Sequence, residues 1–479
     1  MELNRNTCKT VQDRPVKVVQ FGEGNFLRAF VDWVIQQLNN QAGFDGNIAV
    51  VQPLAQGMIP MMLEQSGLYH VILQGIENGE LKRKAELIDA ISEMHNPYED
   101  FERYLQIAEY DELQFVFSNT TEAGITFVKT DLPEHNADVS FPGKLTRLLH
   151  RRFEYFKGAV DKGLFIVPCE LINHNGEALK DCILQYADLW NLGDQFKSWL
   201  EEANTFCNTL VDRIVPGFPK ESISEIQEEL GYKDQLVVEG EVFLLWVIEG
   251  GEKMKAAFPA DQIGLNVIYT DDQQPYRNRK VHILNGAHTT MVPVGLIAGI
   301  ETVQNAVEDE HVGQFIQAAV QEEIIPTLTL PKAELEAFAV EVMDRFRNPF
   351  IKHYLSSIAL NAFHKYRTRV LPCVLEYIKT EGKLPARLIL ALSSYIHVYG
   401  KELIAVKDDQ EVIDLIAKAW QADSLSATAS TILAYESLWG EDLSKIDGFT
   451  DLVSSQLEAI EKEGMVAVLE KLSKAAEVV

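Results

Sequence analysis

The sequence of 479 residues is poor in cysteine and contains no long apolar run. Its five cysteines are scattered and lack the paired spacing of a zinc site, so neither a disulfide framework nor structural zinc is expected. No stretch approaches the roughly 18 apolar residues of a membrane-spanning helix. The first residues also lack the apolar core of a signal peptide. These absences predict a soluble cytoplasmic protein with reduced thiols.

Positive charge is scarce as well. The chain has 43 Lys and Arg against 71 Asp and Glu, and the net charge of −28 would repel nucleic acid and anionic membranes. We therefore expect neither as a partner. The length exceeds that of one ordinary core and predicts two or three domains. A small-molecule substrate and a monomer or small homo-oligomer are expected.

A glycine-rich turn follows the first predicted strand. The apolar, β-branched segment Val16–Phe21 runs into Gly22-Glu23-Gly24-Asn25-Phe26, and apolar residues then recur at helical spacing as far as Leu38. Strand, Gly-x-Gly and helix is the order that a dinucleotide fingerprint requires. Leu27 replaces the third glycine, so the motif alone fits a tight turn between packed elements equally well.

Two further strand ends would face the same ligand crevice. The segment Asn47–Gln52 ends where an acid would normally bind the adenosine ribose, and no arginine follows closely to bind a 2′-phosphate, so the residues leave NAD versus NADP open. The strand Leu113–Phe117 leads into the loop Ser118–Gly124, which is placed at the nicotinamide end, although on its own it resembles an ordinary polar turn. The predicted cofactor contacts are Phe21, Gly22, Glu23, Gly24, Asn25, Phe26, Gln52, Thr120 and Glu122.

Catalysis is predicted in the stretch from Lys280 to His288, which also contains Asn285. If this stretch is α-helical and Lys280 defines 0°, His288 falls at about 80° and Asn285 at about 140°. A lysine that gives a proton and two donors that hold an oxyanion suit proton transfer at a carbonyl. Arg277 and Arg279 would lower the pKa of the lysine. The same spacing also fits a solvated helix start with a core histidine.

Six motifs occur in the order in which the mannitol dehydrogenase family, the polyol-specific long-chain dehydrogenases, carries similar ones. They include GEGNFLR at the glycine turn, V-D-R-I-x-P from Val211 to Pro216, and K-x4-N-x2-H from Lys280 to His288. The sequence therefore resembles that family over nearly its whole length. The resemblance implies an NAD-dependent, metal-free dehydrogenase in which Lys280 is the general acid/base and Asn285 and His288 hold the substrate oxygen.

One motif departs from the family pattern C-D-N-x-x-x-N-G. Leu171 stands where the family has the asparagine that helps to form the oxyanion site. Asn173 or Asn175 would replace that donor, or the two donors near Lys280 suffice. The altered form, P-C-E-L-I, resembles the branch of the family that acts on sugar acids of hexuronate breakdown. The expected substrate is therefore a sugar acid.

A basic segment in the second half of the chain would suit such a substrate. Residues Asp344–Arg369 contain six Lys or Arg and one acid, a local charge of +5 in a chain at −28, which favours an anion site. The alternative is a basic helical face paired with surrounding acids. Arg369 follows Lys365 by four residues and would share its helical face. With the positions that the resemblance implies, the predicted substrate contacts are Asp212, Asn175, Lys365 and Arg369, and no metal ligand is predicted.

The predicted fold class is α/β. A Rossmann-like NAD-binding domain over residues 1–278 is followed by a mostly α-helical substrate-binding and catalytic domain over residues 279–479. A zinc alcohol dehydrogenase is disfavoured, because no Cys/His cluster has ligand spacing. Fructuronate reductase and the mannitol or mannitol-phosphate dehydrogenases of the same family stay open. A catalytically idle dinucleotide-binding sensor is the alternative of another class, although it would have no reason to keep Lys280.

Overall fold

The computed structural model describes residues 1–121, 123–405 and 407–476, and the chain divides into two compact units. Unit 1 comprises Met1–Gly75 and Leu81–Gln273. Unit 2 comprises Ile76–Glu80 and the chain from Gln274 onward. Unit 1 is built around a parallel sheet and unit 2 is mostly helical, which confirms the predicted fold class.

A six-stranded parallel sheet forms the centre of unit 1 in the part of the chain that the structure describes. The strands, in chain order, are β1 (Val16–Phe21), β2 (Asn47–Val51), β3 (Tyr69–Glu77), β4 (Glu80–Ile88), β5 (Ile91–His95), β6 (Phe115–Ser118), β7 (Phe165–Pro168), β8 (Thr205–Phe206), β9 (Asn208–Asp212), β10 (Val238–Glu241), β11 (Leu245–Glu249) and β12 (Val267–Tyr269). The large sheet has the order β5-β2-β1-β6-β7-β8. Its strand order reverses between β1 and β6, and in such sheets the ligand crevice lies at the carboxyl ends of the strands on either side of that point.

Both faces of this sheet are covered, as parallel strands require. Val18 and Val50 belong to one hydrophobic cluster, whereas Val19 and Ala49 belong to a second cluster on the opposite face. Neighbouring residues of one strand thus enter different cores, because side chains alternate across a strand. The near-continuous apolar character of β1 and β2 in the sequence follows from this double burial.

Two three-stranded sheets complete the β structure of the described chain, with the orders β10-β3-β4 and β12-β11-β9. A tight turn joins β3 to β4, since Asn78 and Gly79 have φ angles of 53° and 76°, the left-handed values that a hairpin turn needs. β4 ends at Ile88, and the chain from Ile91 forms β5, which joins the large sheet.

The α-helices of unit 1 include two that replace one predicted helix. The chain breaks at Phe30, whose φ of −121° and ψ of −78° are not helical, so a five-residue helix precedes the longer one. On the helix Phe141–Tyr155, Lys144 and Arg152 are buried. The helices are α1 (Asn25–Ala29), α2 (Val31–Gln41), α3 (Ile59–Glu64), α4 (Phe101–Leu105), α5 (Phe141–Tyr155), α6 (Asn175–Leu189), α7 (Asp194–Ala203), α8 (Ile223–Leu230) and α9 (Gly251–Ala257).

Unit 2 combines α-helices with two π-helical segments. The π-helices span Lys280–Asn285 and Ala319–Ile324, and each continues a preceding α-helix. The α-helices are α10 (Gln274–Arg279), α11 (Gly286–Ile297), α12 (Val303–Glu308), α13 (Glu310–Ala318), α14 (Lys332–Phe346), α15 (Leu355–Ile358), α16 (Ala362–Arg369), α17 (Leu371–Glu381), α18 (Ala386–Gly400), α19 (Gln410–Ala419), α20 (Leu425–Leu433), α21 (Glu436–Trp439), α22 (Phe449–Glu463) and α23 (Met465–Ala476).

None of the helices in the described ranges combines the length and the apolar character that a bilayer crossing would need.

The buried helices α11 and α18 are joined by a hydrogen bond that compensates for a proline. Pro293 lies inside α11 and has no N–H for the carbonyl of Thr289, four residues earlier. The Tyr395 hydroxyl on α18 donates to that carbonyl over 2.9 Å. Both Thr289 and Tyr395 are buried. The tyrosine therefore satisfies an acceptor that the proline leaves unpaired.

Replacing Tyr395 by Phe should lower the free energy of unfolding by about 1–3 kcal/mol, because the Thr289 carbonyl would be buried without a donor. Urea denaturation followed by circular dichroism measures the change. The half-exposed Tyr354→Phe variant is the matched control and should unfold like the parent. Adding Pro293→Ala to Tyr395→Phe should recover part of the loss, since the alanine supplies the missing N–H. Equal stability of Tyr395→Phe and the parent would contradict the assignment.

Candidate functional site

In the glycine turn after β1, the backbone of Gly22 has a conformation that only glycine adopts without strain. Gly22 has a φ of +119°, and its N–H donates to the carbonyl of Val51 at the end of β2. A side chain there would place its Cβ 3.1 Å from Leu27 and 3.2 Å from the carbonyl oxygen of Asn119. The turn is thus held close to the ends of β2 and β6, which are the strands that flank β1.

The Arg28 side chain holds the conformation of this turn through hydrogen bonds. Its Nε donates to the Glu23 carbonyl over 3.2 Å, and its Nη2 donates to Asn25 Oδ1 over 2.7 Å. A further bond runs to the Leu236 carbonyl, and the guanidinium lies 5.1 Å from the centre of the Tyr69 ring. Arg28 is only 1% exposed. It was not among the predicted contacts, although it is the arginine of the GEGNFLR motif and could have been selected from that signal.

Three of the residues predicted to contact a cofactor have side chains that already contact other parts of the protein. Phe21 is fully buried against Tyr104 and Phe141, so only its backbone could reach a ligand. The side-chain oxygen of Asn25 is engaged by Arg28. Phe26 stacks on Phe30 with ring centres 5.0 Å apart.

The backbone at Gly24 is open and fits the close approach of a dinucleotide pyrophosphate. A Cβ placed on Gly24 would meet no atom within 4 Å. Gly24 also precedes the first turn of α1, and no side chain caps that helix end. The first N–H groups of this helix could therefore donate to an anionic ligand, as they do in dinucleotide-binding turns.

Glu23 and Gln52 lie together at the carboxyl end of β2. Glu23 Oε1 accepts a hydrogen bond from the Met58 N–H over 3.1 Å, and burial raises the pKa of this carboxyl above its usual value. Gln52 Nε2 donates to the carbonyls of Leu54 and Ala55 over 2.8 and 3.2 Å. Gln52 Oε1 is buried and accepts no hydrogen bond within the described protein. The two side chains bind the segment that follows β2.

A buried glutamate organises the loop after β6. Glu170 Oε1 accepts from both the N–H and the hydroxyl of Thr120, over 2.9 and 3.0 Å, while Oε2 accepts from the Ser118 hydroxyl over 3.0 Å. Burial raises the pKa of Glu170. The predicted contact Thr120 is thereby positioned at the sheet edge, whereas the predicted contact Glu122 lies outside the described residues. Glu170 itself was missed, although it is the acid of the P-C-E-L-I motif.

The side chain of Asn175 is hydrogen-bonded to the protein groups that surround it. Its Nδ2 lies within 3.0–3.2 Å of the Pro168, Glu170 and Thr209 carbonyls, and its Oδ1 accepts from the N–H of Thr209 over 2.8 Å. These bonds join β7 to β9 and favour a structural role over the predicted substrate contact. Leu171, at the position of the family asparagine, is 59% exposed.

Asp212, the remaining predicted contact in unit 1, is the last residue of β9 and is buried opposite Leu245 of β11.

The predicted catalytic stretch in unit 2 is π-helical from Lys280 to Asn285 and becomes α-helical at Gly286. The angles predicted for a regular α-helix therefore do not apply. A π-turn contains more residues and rotates less per residue, so the angles of Asn285 and His288 both decrease toward that of Lys280. This winding brings the three side chains closer to one face. Lys280 and Asn285 are half-buried.

His288 is a neutral imidazole with a buried ring nitrogen. Its Nε2 accepts or donates no hydrogen bond within the described protein, and its ring lies 4.1 Å from Phe346 between ring centres. Burial lowers the pKa of His288 well below its usual value, and so do the charges of four neighbours: His353, Arg345, Arg369 and Lys365. A neutral imidazole still donates one hydrogen bond.

The end of α16 lies against the π-helix. His282 Nδ1 donates to the Arg369 carbonyl over 2.8 Å, and a Cβ on Gly286 would lie 3.2 Å from the same oxygen. Lys365 and Arg369 share α16, as expected from their spacing. Burial lowers the pKa of both groups, and the charge of Arg369 adds to the effect on Lys365. Lys365 Nζ donates to the Ile358 carbonyl over 2.8 Å. The structure thus brings His288, Lys365 and Arg369 together.

Arg279 does not act as the free positive charge that was expected beside Lys280. Its guanidinium pairs with Glu334 over 2.7 Å and lies 4.4 Å from the centre of the Phe338 ring. Its charge is therefore largely offset within unit 2. Across the described chain, no group of three or more His, Cys, Asp or Glu side chains is arranged to hold a metal ion.

Sequence models of one family match most of the chain. The model described as the mannitol dehydrogenase Rossmann domain matches residues 16–260, and the one described as the mannitol dehydrogenase C-terminal domain matches residues 272–461.

Curated relatives named altronate oxidoreductase match nearly full length. The relative from Bacteroides thetaiotaomicron is 46% identical, with 97% of this chain and 98% of that protein covered. Those from Bacillus subtilis and Escherichia coli are 45% and 44% identical, with 98% and 97% of this chain and 98% of each relative covered.

Two solved structures share the fold. A D-sorbitol dehydrogenase in substrate-free form has a TM-score of 0.82 at 22% identity, covering 98% of this chain and 100% of that one. Mannitol 2-dehydrogenase of Pseudomonas fluorescens, in a ternary complex with NAD and D-mannitol, has a TM-score of 0.67 at 19% identity, covering 99% of this chain and 100% of that one.

Proposed function

The chain belongs to the mannitol dehydrogenase family and is a dehydrogenase/reductase, and we propose that it interconverts D-altronate and D-tagaturonate with NAD as the cofactor. Relatives at 44–46% identity over nearly full length carry the name altronate oxidoreductase, which supports a sugar acid as the substrate. The proposal places the reaction in hexuronate breakdown in the cytoplasm.

The observation that carries the choice of substrate is the basic environment of His288. Lys365 and Arg369 approach it from α16, and Arg345 contributes a further positive charge, within a chain whose net charge is −28. A sugar acid brings a carboxylate, which a guanidinium and an ammonium bind through charge-assisted hydrogen bonds. A neutral polyol offers no partner for this charge. The cluster therefore favours an anionic substrate over mannitol.

The proposed cofactor rests on the turn at Gly22–Phe26. The open backbone of Gly24 and the uncapped start of α1 fit the pyrophosphate of a dinucleotide, and the Glu23 carboxylate lies beside the end of β2, where the adenosine ribose binds. Gly22, Glu23, Gly24, Gln52 and Thr120 would hold it. When bound, NAD supplies the acceptor of the hydride that leaves the alcohol carbon.

Residues of the π-helix and of the first turn of α11 carry out the proton transfer. In the direction of oxidation, the Lys280 amine takes the proton of the substrate hydroxyl, and in reduction the ammonium returns it to the carbonyl oxygen. Asn285 and neutral His288 donate hydrogen bonds to that oxygen while it carries negative charge. Lys365 and Arg369 hold the carboxylate, which orients the reacting carbon.

Replacing Lys280 by Ala should lower kcat by about two or more orders of magnitude, because a positioned general acid contributes about that much. NADH oxidation with tagaturonate measures the effect, and the NADH dissociation constant should change little. The matched control is Lys332→Ala, which removes an exposed lysine of the same unit and should leave kcat unchanged. Near-normal turnover of Lys280→Ala would remove this lysine from the mechanism.

Activity should survive exhaustive chelation, because lysine-assisted proton transfer needs no Lewis acid. Metal analysis of the active enzyme should find no stoichiometric zinc. Loss of activity on chelation that zinc restores would overturn the metal-free mechanism.

Replacing Lys365 or Arg369 by Ala should raise KM for tagaturonate about tenfold or more, on the order of 1.4 kcal/mol, as expected for a charged hydrogen bond. KM for any neutral ketose that is turned over should barely move, and NADH binding should be spared. Arg367→Ala is the matched control, since Arg367 is exposed on the same helix between the two. Equal losses on charged and neutral substrates would show that the cluster supports the fold instead of the carboxylate.

One experiment distinguishes the remaining alternative functions. NADH oxidation assayed side by side with tagaturonate, fructuronate and fructose distinguishes this enzyme from fructuronate reductase and from the polyol dehydrogenases. A protein that binds NADH but turns over none of them would be the dinucleotide-binding sensor.

A further inference from the structure

The segment after β2 lacks the residues that usually decide between NAD and NADP. An acid at the end of this strand normally binds the ribose 2′-hydroxyl, and a nearby arginine accommodates a 2′-phosphate. Here β2 is followed by Gln52, and the sixteen residues from Gln52 to Gly67 contain no Lys or Arg. The choice between the cofactors must therefore come from another element.

The side chain of Glu23, in the glycine turn, reaches the end of β2. Glu23 stands between Gly22 and Gly24, yet its carboxylate extends to the segment after β2 and accepts the Met58 N–H over 3.1 Å. Glu23 is 8% exposed and Gln52 is 1% exposed. A carboxylate has about four acceptor positions, so the bond to Met58 leaves acceptor capacity for a ligand hydroxyl. The neighbouring cation, Arg28, is already engaged by three backbone or side-chain oxygens.

The backbone of Gly57 packs against one side of this carboxylate. A Cβ on Gly57 would lie 2.1 Å from Glu23 Oε1 and 2.4 Å from Gln52 Oε1, distances that no side chain tolerates. Both oxygens therefore lie against Gly57, which keeps the segment after β2 close to Glu23. The second carboxylate oxygen of Glu23, Oε2, is the acceptor that a ribose hydroxyl would use.

We propose that the Glu23 carboxylate, carried by the glycine turn, replaces the missing acid after β2 and makes the site select NAD over NADP. This inference rests on the proposed use of a nicotinamide dinucleotide. The carboxylate accepts a hydrogen bond from an adenosine ribose hydroxyl, while the Gln52 side chain holds the segment after β2 in place. A 2′-phosphate would bring negative charge against the buried carboxylate and would find no cation in the segment after β2, so NADPH is repelled.

The test is equilibrium binding of NADH and NADPH, measured by isothermal titration calorimetry without substrate. The parent protein should bind NADH about tenfold or more tightly than NADPH, as a like-charge contact predicts. Glu23→Gln keeps an oxygen that accepts the Met58 N–H and removes the charge, so it should preserve the fold and reduce the NADH preference severalfold, mainly through tighter NADPH binding. Glu64→Gln, an exposed acid on α3, is the matched control and should keep the parent ratio.

A second variant does not depend on the buried site. Leu54 is 68% exposed in the segment after β2, so Leu54→Arg should fold normally and add a cation for the 2′-phosphate. It should tighten NADPH binding, and more strongly in combination with Glu23→Gln. Equal parental affinities for NADH and NADPH, or an unchanged ratio in Glu23→Gln, would overturn this inference while the proposed function stands. Binding of neither nucleotide would overturn the proposed function and this inference with it.

Discussion

Buried side chains supply hydrogen-bond partners to backbone groups outside regular secondary structure, and the candidate functional stretches of both units depend on these bonds. An unpaired buried carbonyl or N–H costs about 1–3 kcal/mol, so irregular backbone survives only where a partner is supplied. Arg28 supplies donors to the glycine turn, and Tyr395 supplies one to the helix that contains Pro293. Glu323, in the second π-helix, accepts from the N–H groups of Arg387 and Leu388 at the start of α18.

Much of the fold could be predicted from the sequence because its strands are short, apolar and β-branched. Val16–Phe21 and the Asn78-Gly79 turn have local signals that burial and backbone sterics enforce. The π-helix at Lys280 has no such signal, since the sequence pattern of an α-helix is nearly the same. β9 has no local signal either, because its pairing with β11 is a long-range contact that no local pattern shows.

The candidate site was predictable in its residue types more than in its contacts. A lysine, a histidine and a basic segment could be selected from the sequence, and the structure brings His288 together with Lys365 and Arg369. Spacing could not show that Asn175 is consumed by backbone groups or that Glu23 reaches the end of β2. Both facts depend on which loops fold against each other, and that is decided by packing over long sequence separations.

The π-helix makes the winding of the stretch from Lys280 to His288 a constraint in its own right. Such a turn is an α-helix that holds one residue beyond regular winding. Regular α-helical winding of the same residues would turn Lys280 by roughly 100° relative to His288, whereas a regular helix with one residue fewer between Lys280 and Asn285 would leave the two nearly aligned. The common face of the three side chains therefore depends on winding and length together. A substitution that restored regular winding would separate Lys280 from His288 without changing either residue.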